Sequence, residues 1–133
     1  MLRLEIVTPD QKAFSDDVDS VVIPGTEGEL GVLPMHVPLM TQLLPGELRI
    51  QKAGQEEIRL AVGEGFVEIG PDKVTVLTDM AILETDIDES DAEEAIARAE
   101  QAMKDSKMSA EEYATVNASL QKSVALVRVK RRR

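Results

Sequence analysis

Apolar and polar residues alternate in short runs through the first half of the chain. Leu2, Leu4 and Ile6 share one face of a first run, which ends at a Thr-Pro-Asp turn. Residues 17–24 form a second run, and the glycine-rich residues 25–31 after it predict a loop. Because a period of two turns one side-chain face to a core and the other to solvent, these runs predict half-buried β-strands.

Two β-hairpins are predicted next. Residues 48–50 and 58–62 alternate on either side of a turn, and residues 66–69 and 74–78 flank the turn sequence Gly-Pro-Asp-Lys. Many short strands separated by turns at intervals of about 8–12 residues are typical of a β-sandwich or a barrel. Residues 1–84 therefore predict an N-terminal β-sandwich domain.

Near Thr85 the spacing of apolar residues changes from two to about 3.6, which indicates a helix. This helix is predicted to begin at Asp86 or Asp88, where a carboxylate caps free backbone amides. Its apolar stripe comprises Ala92, Ala95, Ile96, Ala99, Ala102 and Met103. Because small alanine side chains bury little apolar area, this helix is expected to be weakly held.

A second helix is predicted to begin at Ser109, which fits a capping box with Glu112. Its apolar side comprises Tyr113, Val116, Leu120, Val124 and Val127. A short link between two helices makes them antiparallel neighbours, so residues 85–133 predict a C-terminal antiparallel α-helical hairpin. The fold class is thus β + α.

Composition removes several classes of function. The chain has no cysteine, which excludes disulfides and thiolate chemistry, and its 2% aromatic content makes base-stacking platforms improbable. The longest apolar runs fall far short of the roughly 20 residues of a membrane helix, so no direct membrane insertion is expected. The chain opens on an alternating run, so no signal peptide is visible and a soluble protein is expected.

Charge is strongly segregated along the sequence. The net charge of −10 divides into −8 over residues 1–83, −8 over residues 84–112 and +6 over residues 113–133. A basic end on an acidic chain favours either intramolecular pairing or an acidic partner for the tail. Both interpretations stay open at this point, as does a solvated, frayed helix end.

Two sequence blocks carry a family resemblance. Residues 27–34 (Glu-Gly-Glu-Leu-Gly-Val-Leu-Pro), continuing through residues 36–41 and 44–46, resemble the signature of the epsilon subunits of F-type ATP synthases. Residues 65–69 and 74–81 resemble the second block of that family, in the expected order and spacing. With the change to a helical hairpin, the resemblance covers essentially the whole chain.

The resemblance implies a ten-stranded sandwich in a non-catalytic rotor subunit of a proton-translocating ATP synthase. One end of the sandwich would contact the membrane c-ring through Thr26, Gly28, Glu29 and Leu30. A flank would contact the gamma subunit through His36, Pro38, Leu39, Met40 and Thr41. The subunit would be peripheral, on the cytoplasmic face of the bacterial plasma membrane or the stromal face of a thylakoid.

The family also implies a movable hairpin that inhibits ATP hydrolysis. When the hairpin extends, it would engage the beta and alpha subunits of the catalytic head. The cations that would make this contact are Lys122, Arg128, Lys130, Arg131, Arg132 and Arg133.

Two departures from the family pattern stand out. Met35 occupies a turn position where the family often has Gly or Asn, residues that tolerate a positive φ, so this turn is expected to differ locally. Some members bind ATP through an Ile/Leu-Asp-x-x-Arg-Ala motif, and Asp91 stands here in place of the arginine. Because this reverses a phosphate-attracting charge, no ATP binding and no other cofactor is expected.

Two other functional classes compete with the rotor subunit. A free-standing adaptor or nucleic-acid-binding module would use the basic C-terminal helix, although the acidic remainder and the scarce aromatics disfavour nucleic acid. A small hydrolase ranks last, because the single histidine, His36, has no visible nucleophile and acid to complete a catalytic set. No catalytic or metal-binding residue is predicted.

Overall fold

The computed structural model describes residues 1–105 and 107–132. In this part of the chain ten strands precede two α-helices. The strands are β1 (Leu2–Val7), β2 (Lys12–Val18), β3 (Ser20–Gly25), β4 (Gly28–Val32), β5 (Leu39–Leu43), β6 (Gly46–Gln51), β7 (Ile58–Val62), β8 (Gly65–Ile69), β9 (Lys73–Thr78) and β10 (Ala81–Leu83). A 3₁₀ turn (Glu84–Asp86) leads into α1 (Glu89–Met103) and α2 (Ala110–Arg131). The predicted β + α fold class is confirmed.

The strands form one sheet that folds over into a sandwich. Its order is β10-β7-β6-β3-β5-β8-β9-β1-β2, and β4 pairs with β3 beside this path. Every described pair is antiparallel except β1 with β9. Phe14 of β2 and Leu83 of β10 line one cleft, so the two ends of the sheet approach each other.

The inner faces of the strands enclose one core of Val, Ile and Leu. Leu2, Leu4 and Ile6 of β1 are fully buried and alternate with half-buried residues, as the period of two predicts. Full burial of such a side chain contributes about 1.5–3 kcal/mol. Aromatic residues contribute little, since Phe14 only packs against the edge of this core.

Two strand predictions were wrong in their bounds. The run 17–24 is divided at Asp19, because the Asp19 amide donates to the Gln51 carbonyl (2.9 Å) and its carboxylate accepts from the Ala53 amide (2.5 Å). This redirects the chain from pairing with β1 to pairing with β6. The glycine-rich segment 25–31 is mostly strand, with only a tight turn between β3 and β4.

Both predicted helix starts are confirmed. The Asp88 carboxylate accepts a hydrogen bond from the Asp91 amide at 3.1 Å, and the Ser109 hydroxyl accepts one from the Glu112 amide at 3.1 Å. Each cap satisfies a backbone donor that has no partner within its helix. The basic end of α2 lies beside the start of α1, because Arg131 pairs with Glu89 there, so the helices are antiparallel.

The apolar side predicted for α2 is only partly right. Val127 is buried as predicted, but Tyr113 in the first turn is 47% exposed, and the C-terminal half also buries Ser123, Ala125 and Val129, which were not predicted. The reason is that this half of the helix packs on two surfaces, α1 on one side and the outer face of the sheet on the other. A single stripe at a period of 3.6 cannot describe a helix that is covered on two sides.

The small side chain of Ala61 allows α2 to pack closely on the outer face of the sheet. Leu60, Ala61 and Val62 are all buried, although alternate residues of a strand point to opposite faces. Ala61 therefore lies on the outer face and is covered there, in a small cluster with Ile87 and Val129. In α1 only Ala92 is buried among the described residues, so apolar burial holds the hairpin mainly at its base.

Candidate partner-binding surfaces

The turn between β3 and β4 presents the residues predicted to contact the c-ring. Thr26, Gly28 and Glu29 are exposed, whereas Leu30 packs against the sandwich core. Gly28 has a φ of 104°, a conformation that side chains strongly disfavour. The turn thus offers polar groups and one carboxylate at an end of the sandwich.

Glu29 forms an ion pair with Arg49 of β6. The Arg49 guanidinium donates a short hydrogen bond to the Glu29 carboxylate, which remains 57% exposed. This hydrogen bond keeps the pKa of Glu29 below its usual range, and it raises the pKa of Arg49. Glu29 is therefore a charged, oriented carboxylate that a partner can still reach.

Met35 lies in the loop between β4 and β5, in the turn that was expected to differ locally from the family pattern. It has a φ of 70°, in the left-handed region that Gly and Asn tolerate best. Its side chain is 81% exposed and meets little, and its amide donates to the Pro71 carbonyl at 2.6 Å. A bulky residue is tolerated there because the strain is confined to its own backbone, which that hydrogen bond holds.

The five residues predicted to contact gamma do not form one surface. Leu39 and Thr41 of β5 pair with the inward-facing Ile69 and Val67 of β8, whereas Met40 points to the outer face. Pro38 is exposed in the preceding loop, where the half-buried His36 donates from Nδ1 to the Val37 carbonyl at 2.6 Å.

A cleft of about 470 Å³ joins the two predicted contact regions. It forms where β4 and β5 separate, since β5 pairs with β3 at a single position, Gly25 with Leu43. Its lining contains the β3–β4 turn on one side and both Leu39 and Thr41 on the other. Leu39 and Thr41, two of the residues predicted to contact gamma, therefore lie next to the turn predicted to contact the c-ring.

Three apolar side chains form a strip on the outer face of the sheet. Met40 is 66% exposed, Phe66 57% and Leu77 52%. Phe66 pairs directly with Leu77 on β9 and with Gln42 on β5, two residues from Met40, so all three side chains share one face. This set of Met40, Phe66 and Leu77 is called the outer strip.

The sequence interpretation missed Phe66 and Leu77 as site residues. The signal that marks them is apolar side chains at the solvent-facing positions of alternating strands, beside Val67 and Val76, which face the core. Adjacent exposed apolar residues of this kind typically mark a surface that another protein covers.

The basic end of α2 is paired within the chain. Lys122 lies 3.3 Å from Asp79, Lys130 lies 3.6 Å from Glu84, and Arg132 lies 3.2 Å from Glu47. Arg131 contacts Glu89 and Glu93, and hydrogen bonds to them raise its pKa. Arg128 is exposed, and Arg133 lies outside the described residues. Of the two interpretations of the charge segregation, intramolecular pairing is the one seen in this state.

Residues from the segment 86–92, where the sequence departs from the motif that the resemblance implied, line a small acidic cleft. The cleft has a volume of about 230 Å³, below the roughly 300–1,000 Å³ of typical ligand sites. Asp86, Asp88 and Asp91 line it together with apolar residues of both helices.

Two protein-family domains match successive parts of the chain. Residues 1–84 match the β-sandwich domain of the ATP synthase delta/epsilon chain, and residues 85–131 match its long α-helix domain. The chain belongs to the ATP synthase delta/epsilon family. Neither helix in the described residues combines the length and the apolarity that crossing a bilayer requires.

Relatives within the delta/epsilon family match along nearly the whole chain. The ATP synthase epsilon chain of Dehalococcoides mccartyi is 45% identical, over 99% of this chain and 94% of that one. The epsilon chain of Chromobacterium violaceum is 42% identical, over 97% and 91%. The fold matches a chain in the Euglena gracilis mitochondrial ATP synthase OSCP/F1/c-ring structure, with a TM-score of 0.79, 22% identity and coverage of 94% and 78%.

Proposed function

We propose that this delta/epsilon family member is a non-catalytic rotor subunit of the central stalk of a proton-translocating F-type ATP synthase. Its sandwich couples the gamma subunit to the c-ring, and its helices restrain ATP hydrolysis. The observation that carries the proposal is the outer strip, an exposed apolar surface on a rigid sheet of this family. A subunit that transmits torque needs such a surface and needs no reacting groups of its own.

The outer strip supplies the gamma contact. Phe66 lies between Met40 and Leu77, and the polar Gln42 and Glu68 border it on the same face. An apolar centre with a polar rim is the usual anatomy of a protein interface. Gamma would cover the strip, and the loop residues His36 and Pro38 would extend the contact toward the ring.

The β3–β4 turn supplies the contact to the c-ring. Glu29 is exposed and already oriented by Arg49, so a cationic or amide group on a ring loop meets a fixed acceptor. Such polar contacts set position and register more than affinity. The subunit would then sit peripherally at the membrane surface on the side of the catalytic head, cytoplasmic in a bacterium.

The hairpin is held by forces that a partner can replace. Lys122, Lys130 and Arg132 are fixed by partly exposed ion pairs, each of which contributes about 0–1 kcal/mol. Released from the sheet, the same cations would face acidic loops of the beta and alpha subunits. The basic helix thus exchanges one set of carboxylates for another, and this exchange restrains rotation in the hydrolysis direction.

Removal of residues 86–133 is expected to leave gamma binding within about three-fold of the full chain, because the outer strip lies on the other domain. ATP hydrolysis by the assembled complex is expected to rise, since the restraining cations are lost. Titration of purified gamma and a steady-state ATPase assay measure the two effects. Loss of gamma binding in the truncated chain would contradict this division of labour, provided circular dichroism shows an intact sheet.

Titration of the full chain with Mg-ATP is expected to show no binding at submillimolar concentration, because Asp86, Asp88 and Asp91 repel phosphate in a small cleft. Isothermal titration calorimetry makes the measurement, with sodium sulfate at matched ionic strength as the control. Saturable heat with ATP and none with sulfate would contradict the expected absence of a nucleotide cofactor.

Nucleic-acid binding is the less favoured alternative. A phosphate-binding arm requires free cations, and in the docked state Lys122, Lys130, Arg131 and Arg132 already contact carboxylates of the same chain. An oligonucleotide would have to displace these carboxylates from an acidic protein of net charge −10.

A further inference from the structure

Eight charged groups form a continuous network between the β3–β4 turn and the end of α2. Its members are the carboxylates of Glu29, Glu47, Glu57 and Glu84 and the cations of Arg49, Arg59, Lys130 and Arg132. This network is called the ionic bridge. With four groups of each sign its net charge is zero, so the loss of one charge leaves an imbalance that the remaining groups feel.

The sheet register places the ionic bridge across four adjacent strands on the outer face. Glu29 lies on β4, Glu47 and Arg49 on β6 and Arg59 on β7, while β3 separates β4 from β6. Arg49 is paired directly opposite Arg59, and like charges in that arrangement repel. The two arginines therefore depend on the surrounding carboxylates for their placement.

Glu47 is the shared member of the network. Its Oε1 atom accepts from Arg49 at 3.3 Å and contacts Arg132 Nε at 3.2 Å, so the two arginines compete for one oxygen. They also share Glu57, which lies 3.8 Å from Arg49 Nε and 4.0 Å from an Arg132 nitrogen. Glu29 binds the same Arg49 guanidinium, so Arg49 divides its contacts among the three carboxylates.

We propose that the ionic bridge couples the ring-facing turn to the docking of the hairpin. When a cationic side chain of a partner engages Glu29, Arg49 is released toward Glu47 and Glu57 and displaces Arg132 from them. The end of α2 then loses the contacts that Arg132 makes and is held less firmly on the sheet, although Val129 still packs against Ala61. The identity of that partner as the c-ring rests on the proposed function, but the coupling inside the chain does not.

The sign of the coupling follows from charge alone. Without Arg132, the other seven groups of the ionic bridge carry a net charge of −1. Loss of the Glu29 charge brings these seven groups to 0, so they hold Arg132 less firmly. Loss of the Arg49 charge brings them to −2, so they hold Arg132 more firmly. The positive charge of Arg132 is felt at Glu29, since it contributes, after Arg49, to the low pKa of that carboxylate. The two substitutions are therefore expected to act in opposite directions.

Hydrogen exchange of the full chain at low ionic strength tests the coupling, because salt screens exposed charges. Glu29→Gln is expected to speed amide exchange in residues 123–131 about three-fold, the scale of one exposed ion pair. Glu27→Gln is the matched control: Glu27 lies in the same turn and makes no ion pair among the described residues. It is expected to leave exchange in α2 unchanged, and strands β1 and β9 report on overall folding in each variant.

Arg49→Gln supplies the test of sign and is expected to slow exchange in residues 123–131 about two-fold. In an Arg132→Gln background, Glu29→Gln is expected to add no further acceleration, since the coupled contact is already lost. Equal effects of Glu29→Gln and Glu27→Gln, or additive effects of Glu29→Gln and Arg132→Gln, would overturn the coupling. These measurements need no gamma or ring, so their failure is distinct from absent gamma binding, which would sink the proposed function instead.

Discussion

Replacement of Gly65 by alanine is expected to lower the free energy of unfolding of the sandwich by about 3 kcal/mol or more. Gly65 is the first residue of β8 and pairs with Thr78 of β9. A Cβ atom at this position would lie 1.8 Å from the Leu77 carbonyl oxygen and 2.9 Å from the Thr78 Cα. These are backbone atoms of a paired strand, so no rotamer change relieves the clash and the two strands must separate.

Urea denaturation followed by far-ultraviolet circular dichroism measures this effect, since the chain has no tryptophan to report by fluorescence. The midpoint is expected to fall while the dependence on urea concentration stays the same, because the folded state buries a similar surface. A large loss at this position would show that the close approach of β8 and β9 is required by the fold.

Gly31→Ala is the matched control within the same sheet. Gly31 lies inside β4, and a Cβ there would meet no atom within 4 Å. Alanine is expected to leave stability unchanged or to raise it by up to about 1 kcal/mol, because glycine loses more backbone entropy on folding. Equal destabilisation by both substitutions would indicate a general intolerance of the strands rather than the contact between Gly65 and Leu77.

Local signals made the helix starts and most strands predictable from the sequence. Asp88 and Ser109 each bond to an amide three residues ahead, so the cap and its partner lie in one short segment. The alternation of β1 and β9 likewise reflects a single core that both strands face. These features depend on neighbours along the chain, which a sequence displays directly.

Features set by distant segments could not be predicted in the same way. The parallel pairing of β1 with β9 and the division of one predicted strand at Asp19 both depend on which strand lies alongside. The buried side of α2 was only partly predicted because Val129 packs against Ala61 of the sheet, and nothing near Val129 in sequence announces that contact. The hydrogen bond from the Met35 amide to the distant Pro71 carbonyl is another contact of this kind.

The same distinction between local and distant determinants applies to the candidate partner-binding surfaces. Charge segregation indicated that the basic tail meets carboxylates, but the sequence could not decide between the chain's own carboxylates and those of a partner. The competition of Arg49 and Arg132 for Glu47 exists only because β6 lies under the end of α2. Alternation marks Phe66 and Leu77 as solvent-facing, but their adjacency to Met40 depends on the pairing of β5 with β8.

Substitution of Phe66 by aspartate is expected to weaken binding to the gamma subunit of the same organism about 30-fold or more. Phe66 is central in the outer strip and 57% exposed, so it can insert into a partner without unpacking the core. Aspartate removes that apolar contact and places a carboxylate against an apolar partner surface, where it loses hydration without gaining a counter-ion. Titration calorimetry with purified gamma gives the two dissociation constants.

Tyr113→Asp is the control that separates the outer strip from any exposed aromatic residue. Tyr113 is 47% exposed on α2, away from the strip, and its substitution introduces the same charge. Gamma affinity is expected to stay within about two-fold, because residues outside an interface centre contribute little. If Phe66→Asp bound gamma as tightly as Tyr113→Asp, with both chains folded, gamma would have to dock elsewhere. The cleft of about 470 Å³ would then be the surface to test, because two predicted gamma residues, Leu39 and Thr41, line it.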